Sequence, residues 1–232
     1  MKYQTVIFDL FGTLAYQATR SEQYDILKQM ASALSAPPEG FIKYWIETSE
    51  ARMKGEFPDG QSNIIYICQK LGVPFINNQV EFANQLRTNL AKHQLSTIKK
   101  DAIDVLSYLK SNGFKTGIIS DCSSSVLPLW PDNPLASFID VAIFSASVGY
   151  RKPDPRIYRL ATGQLDVEPE KCLYVGDGNS QELTGAAAVG MHPVLIYGPD
   201  EDVSDAARFD NEADEWDGPK ITSLKEIINL LS

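Results

Sequence analysis

From Lys99 to Tyr197 the chain repeats one texture: a short, almost wholly apolar run, a polar residue at its end, then in most cases a stretch with helical spacing. The runs are Lys115–Ser120, Val141–Phe144, Cys172–Val175 and Val194–Tyr197, and the helical stretches are Asp101–Asn112, Pro155–Leu165 and Gln181–Val189. A run that is apolar on both faces suits a strand covered from both sides. Strands alternating with helices form βαβ units, whose crossovers impose a parallel sheet. The predicted class is therefore α/β, with a Rossmann-like parallel sheet core and helices on both faces. Val6-Ile7-Phe8 supplies an earlier strand, and Lys220-Ile221-Thr222 followed by Leu224–Leu231 a last short strand and helix.

Open sheets of this kind carry their chemistry just beyond the carboxyl ends of the strands. Asp9 stands there after the first run, before Leu10-Phe11-Gly12-Thr13. Ser120 and Asp121 close the second, Lys152 follows the third within Gly149–Pro155, and Asp177 and Glu182 follow the fourth in Gly176-Asp177-Gly178-Asn179-Ser180-Gln181-Glu182. Singly these are a turn aspartate, a turn serine, a loop lysine and a common Gly-Asp-Gly turn. Their order is the informative part.

Asp, then Ser, then Lys before Pro, then Gly-Asp, each at a strand end, resembles the haloacid dehalogenase superfamily along the whole chain. The resemblance implies phosphoryl transfer through an aspartyl-phosphate on Asp9, with Mg2+ as cofactor. A carboxylate attacking phosphorus needs charge neutralised around itself and the phosphoryl oxygens. Magnesium takes hard oxygens and usually one or two carboxylates. By resemblance the metal ligands are Asp9, the backbone carbonyl of Phe11 and Asp177. Glu182 occupies the second acidic position, and two roles are open to it: reaching the metal through water or holding the lysine. Lys152 would neutralise Asp9 and a phosphoryl oxygen as a point charge. Ser120 and the backbone amides after Asp9, at Gly12 and Thr13, would donate to the same oxygens, with Asp121 in the substrate-binding set. The catalytic residues expected are thus Asp9, Ser120 and Lys152.

Between Leu14 and about Ser96 the texture changes to amphipathic helix. Stretches at Glu22–Leu34, Glu39–Lys54, Ser62–Leu71 and Gln79–Lys92 are broken at Pro37-Pro38, Pro58-Asp59-Gly60 and Gly72-Val73-Pro74. The expected domains are a core of residues 1–14 and 97–232 and a helical insert of residues 15–96. In the resembling subgroup such an insert is a mobile cap that covers the site and chooses the substrate, here hinged at Leu14-Ala15 and Leu95-Ser96-Thr97.

Phe11 departs from the pattern. Related phosphatases carry a second aspartate there, which protonates the leaving oxygen, and phenylalanine cannot. General acid catalysis contributes roughly 10²–10⁴-fold, so alkyl phosphates are expected to be poor substrates and acyl phosphates better ones. The superfamily's 2-haloacid dehalogenases also lack that aspartate and need no metal, but they place a non-acidic residue at the position of Asp177. They use a cap arginine for halide, for which Arg20 and Arg52 are nominal candidates. Asp177 and Glu182 favour the metal-dependent reaction on a small phosphorylated metabolite. A non-catalytic or regulatory binding protein on the same fold is the alternative from another class.

The formal charge of -9 argues against nucleic acid as a partner. Most of it lies between Gly198 and Pro219, where nine acids face Arg208 alone, a pattern expected of a solvated loop that Trp216 could anchor. No apolar run reaches the roughly 18 residues of a membrane span. Met1-Lys2-Tyr3 runs straight into the first strand without a signal peptide, so the expected compartment is the cytoplasm. Cys68, Cys122 and Cys172 fit neither a disulfide framework nor a zinc site. His93 and His192 lie near no motif and receive no chemistry. Oligomeric state and substrate identity are not legible at this level.

Overall fold

The computed structural model describes residues 2–197 and 210–231. Six strands form one sheet in the order β3-β2-β1-β4-β5-β6: β1 (Thr5–Phe8), β2 (Lys115–Ser120), β3 (Val141–Phe144), β4 (Cys172–Gly176), β5 (His192–Ile196) and β6 (Lys220–Ile221). Every pairing is parallel. The chain winds outward in one direction from β1 through β2 to β3, and in the other from β4 to β6. The switch point therefore lies between β1 and β4, where the register sets Phe8 opposite Val175.

Alternation along each strand sorts the apolar side chains into two layers. Val6, Phe8, Ile118, Leu173, Val175 and Val194 pack with α6 (Ala102–Ser111) and α11 (Glu226–Leu230). Ile7, Ile119, Ile143, Tyr174 and Leu195 pack on the other side with α8 (Pro155–Leu165) and α9 (Glu182–Ala188). Both faces are thus buried, which is why the strands read as continuous apolar runs. A single turn of helix, α7 (Ser145–Val148), follows β3 directly and was not anticipated.

Between β1 and β2 lie α1 (Arg20–Ala33), α2 (Pro38–Glu47), α3 (Ser49–Met53), α4 (Gly60–Leu71) and α5 (Asn77–Ser96). They bury a separate core of Leu27, Met30, Phe41, Ile64, Ile67 and their neighbours. The stretch expected as one helix over Glu39–Lys54 is two. Thr48 Oγ1 donates back to the carbonyls of Tyr44 (2.8 Å) and Trp45 (3.2 Å), and Arg52 Nη1 donates to the Trp45 carbonyl at 2.6 Å, so side chains compete for the carbonyls at the break, although Tyr44 O still accepts Thr48 N–H at 3.0 Å. α5 runs longer at both ends than expected. The two connections to the core lie side by side, with Tyr16 N–H donating to Thr97 O (2.8 Å) and Lys99 N–H to Leu14 O (2.9 Å).

The acidic segment corrects another expectation in part. Residues 198–209 lie outside the described residues; Asp214, Glu215 and Asp217 are exposed as a solvated loop would have them, but Asp210 and Glu212 are docked. In α10 (Glu212–Glu215), Glu212 is buried and its carboxylate accepts the N–H groups of Leu183 (3.1 Å) and Thr184 (2.7 Å), while Asp210 accepts that of Gln181 (2.9 Å). Acids at the start of α9 meet helix donors that have no intrahelical partner. Trp216 packs against the α8/α9 core layer and donates to Pro219 O at 3.1 Å.

Candidate active site

The loop after β1 is built by its backbone. Asp9 N–H donates to Val175 O at 2.9 Å, extending the ladder one residue past β1, and Leu10 O then accepts from Leu14 (2.9 Å) and Ala15 (2.8 Å). Gly12 N–H donates to Ala15 O at 2.8 Å, so this amide is used within the loop. Its contribution to the site is steric: φ is +90° and a Cβ there would stand 2.3 Å from Asp177 Oδ2. Only glycine lets the β4 loop approach the β1 loop this closely.

Lys152 joins the strand ends. Its Nζ donates to Asp9 Oδ1 and to Glu182 Oε2, each at 2.5 Å, with all three side chains buried. Glu182 is fully committed: Tyr174 OH donates to Oε2 (2.8 Å) and Gly178 N–H to Oε1 (3.0 Å). Of the two roles open to Glu182, this geometry shows the lysine-holding one. Asp121 acts on the same loop, accepting Lys152 N–H at Oδ1 (3.0 Å) and Arg151 Nε at Oδ2 (3.0 Å), and Arg151 also donates to Ser180 Oγ (2.8 Å). Asp121 thus clamps the lysine loop, and Arg151 is held by Asp121 and Ser180.

Burial pushes the Asp9 carboxyl up, to about 7, against the pull of Lys152 and with a further push from Glu182. Burial alone would lower Lys152, but Asp9, Glu182 and Asp121 outweigh it and hold the ammonium well above its ordinary value. One oxygen each from Asp9, Asp177 and Glu182 lies within 4.8 Å of the others. Three carboxylates against one ammonium leave a formal charge of -2, which a divalent cation matches. Ser120 Oγ and Thr13 Oγ1, at the same edge of the sheet, are buried without a hydrogen-bond partner among the described residues. Buried hydroxyls are usually hydrogen-bonded, so two without partners at this edge are notable.

Above these residues is a cavity of about 570 Å³, lined from the sheet by Asp9, Phe11, Lys152 and Asp177 and from the helices by side chains that include Arg52 and Arg87. Its volume suits a small metabolite. Cys122 also lines it, and burial pushes the thiol far up, so it serves as packing. Sequence reasoning missed Tyr174, Arg87 and Glu212. Tyr174 sits inside an apolar strand, Arg87 on a polar helix and Glu212 in an acidic run, so each carries the signal of its surroundings.

A model of the haloacid dehalogenase-like hydrolase family matches residues 3–190. The chain belongs to that family. It is 36% identical over 195 residues to (S)-2-haloacid dehalogenase 1 of Pseudomonas sp. (strain CBS-3), covering 82% of each chain. It is 24% identical over 196 residues to phosphoglycolate phosphatase 1 of Pseudomonas aeruginosa, covering 83% of this chain and 69% of that one. Against three other curated relatives the match covers 66%, 59% and 35% of their length, so the chain spans two thirds or less of those proteins. Among solved structures, the haloacid dehalogenase-type phosphatase from Thermococcus onnurineus superposes with a TM-score of 0.65 at 20% identity, over 99% of this chain and 98% of that one, a likeness of fold. The family's Rossmann-like core is the six-stranded parallel sheet seen here. No helix among the described residues is long and apolar enough to cross a membrane.

Proposed function

We propose that this hydrolase cleaves a small phosphorylated metabolite in a magnesium-dependent reaction, with Asp9 as nucleophile. The observation that carries this reading is the excess of buried carboxylate around one lysine, beside two buried hydroxyls without partners. Asp9, Asp177 and the Phe11 carbonyl would hold the ion, with Glu182 behind them. When bound, magnesium supplies positive charge to the phosphoryl oxygens and to Asp9.

Asp9 attacks phosphorus, a carboxylate oxygen–phosphorus bond forms, and the bond to the leaving oxygen breaks with its electron pair departing on that oxygen. Water then attacks phosphorus, releasing phosphate and regenerating the carboxylate. Lys152 holds Asp9 in place and balances the charge, while Ser120 and Thr13 donate to the phosphoryl oxygens. Phe11 offers no proton, so leaving groups that depart as stable anions are the better substrates. The insert of residues 15–96 acts as the cap, hinged where Leu14–Tyr16 pairs with Thr97–Lys99.

A second reading, 2-haloacid dehalogenase, is favoured by the 36% identity to the Pseudomonas enzyme and by Phe11, because displaced halide needs no proton. One experiment separates the two: phosphate release from a panel of acyl and alkyl phosphates with and without magnesium, beside chloride release from 2-chloropropionate. Magnesium-dependent phosphate release, lost together with magnesium affinity in Asp177→Asn, is the expected result. Metal-independent chloride release without phosphate release replaces it with the second reading.

A further inference from the structure

The insert wall of the cavity carries two arginines that no acid among the described residues answers. Arg52, on α3, is fixed: its guanidinium lies 4.1 Å from the Trp45 ring centroid, and Nη1 donates to Trp45 O (2.6 Å), Thr48 Oγ1 (2.7 Å) and Asn63 Oδ1 (3.3 Å). These bonds all use one nitrogen, leaving Nε and Nη2 without a partner among the described residues. Arg87, on α5, lines the same cavity, and no carboxylate among the described residues lies within ion-pair distance of it. The insert's own acids on this wall are engaged elsewhere, Glu50 with Lys54 at 2.5 Å and Glu47 with Lys43 at 3.8 Å.

We propose that Arg52 and Arg87 form a subsite for a second anionic group, a carboxylate or phosphate on the leaving part of the substrate, opposite the phosphoryl group at Asp9. The assignment rests on the hydrolase reading for the position of the reacting phosphoryl. Guanidinium forks match the planar, bidentate geometry of such oxyanions. Two partly desolvated cations facing one cavity repel each other: burial and then Arg87 push Arg52 down to about 9, and burial lowers Arg87 as well. An anion between them relieves both effects. The substrate class that results is a small molecule with anionic groups at both ends, and the sheet-side carboxylates exclude that second anion from the other wall unless metal is bound.

Calorimetric titration of the magnesium-loaded protein with three non-hydrolysable probes tests this: methylphosphonate with one anionic group, phosphonoacetate with an added carboxylate, and methylenediphosphonate with an added phosphonate. The wild type is expected to bind at least one two-ended probe about tenfold or more tightly than methylphosphonate, and the favoured probe identifies the second group. Arg52→Gln and Arg87→Gln should each reduce that preference about tenfold, and the double variant should abolish it, with methylphosphonate affinity unchanged. Absence of any preference in the wild type, or its survival in the double variant, overturns the subsite. Because Arg52 also braces Trp45 and Asn63, melting is followed in parallel; Arg87→Gln disturbs no such bracing and decides the matter alone if the other variant unfolds. Binding preference without turnover of any phosphate sinks the hydrolase reading and keeps the subsite. Turnover without the preference does the reverse.

Discussion

The two walls of the cavity are finished differently. On the sheet side almost every charged group is answered by another: Lys152 by Asp9 and Glu182, Arg151 by Asp121, and Glu182 additionally by Tyr174 and Gly178. On the helical side Arg52 and Arg87 keep donors without acid partners among the described residues. The first wall is preorganised for a reaction, whereas the second is completed only by what it binds. Preorganisation is useful where charge develops in a transition state, and recognition needs groups still free to pair. The sheet can supply the former because strand ends are fixed by a ladder of hydrogen bonds, while short helices joined by loops can move as a body.

Removing Lys152 should produce the largest effect. Lys152→Met leaves Asp9 and Glu182 buried side by side without their cation, and breaking such an arrangement destabilises a protein by about 3–5 kcal/mol. All turnover should be lost and the denaturation midpoint should fall. Arg151→Met, one residue away, should retain measurable activity because its partner is Asp121. Equal losses from the two variants would mean that the sheet wall acts through general charge and not through this contact.

Phe11→Asp probes the missing acid on the sheet side. Supplying the missing acid should raise turnover of alkyl phosphates by up to about 10²-fold and leave acyl phosphates nearly unchanged. Since Phe11 packs against the core layer of α6, a folded variant must be verified by melting. No gain on any alkyl phosphate in folded, magnesium-bound protein would show that proton supply does not limit the reaction.

Glu212→Ala should act through the sheet wall's support. It strands the Leu183 and Thr184 amides at the start of α9 and should lower stability by about 1–2 kcal/mol, read as a shift in melting temperature. An unchanged melting temperature would mean that water replaces the carboxylate at no loss.

The smallest effect belongs to the helical wall. Thr19 and Glu22 close a capping box on α1, and Tyr16 OH donates to Glu22 at 2.5 Å. Thr19→Ala should lower stability by about 1 kcal/mol. The Tyr16 hydroxyl first, with the Thr19 bonds adding to it and burial opposing, sets the Glu22 carboxyl below its ordinary value of 4.5. Its folded value being depressed, its contribution is complete above 4.5 and disappears as pH falls through the lower folded value. Comparing wild-type and Glu22→Gln melting between neutral and acidic pH should show the difference closing on acidification.

The sequence by itself determined the sheet and the residues at its working edge. In a parallel sheet, positions just past strands β1, β2 and β4 converge whatever the intervening loops do, so Asp9, Ser120 and Asp177 already implied their neighbourhood, while Lys152, eight residues past β3, was placed beside them by the resemblance alone. The strand order, and with it the switch point between β1 and β4, was set by the tertiary structure, because right-handed crossovers allow more than one order of parallel strands. Tertiary structure alone decided which oxygen of Glu182 meets which donor, that Asp121 clamps the lysine loop, that Thr48 divides a helix, and that Glu212 leaves an acidic run to cap α9. It also decided that Arg52, at the sequence level only a nominal cap arginine, and Arg87, which a helical pattern does not single out, line the same cavity. The physical reason is periodicity: a strand end fixes a side chain's neighbourhood through backbone pairing, whereas a helical residue's surroundings depend on the rotation and docking of the whole helix, which only packing sets.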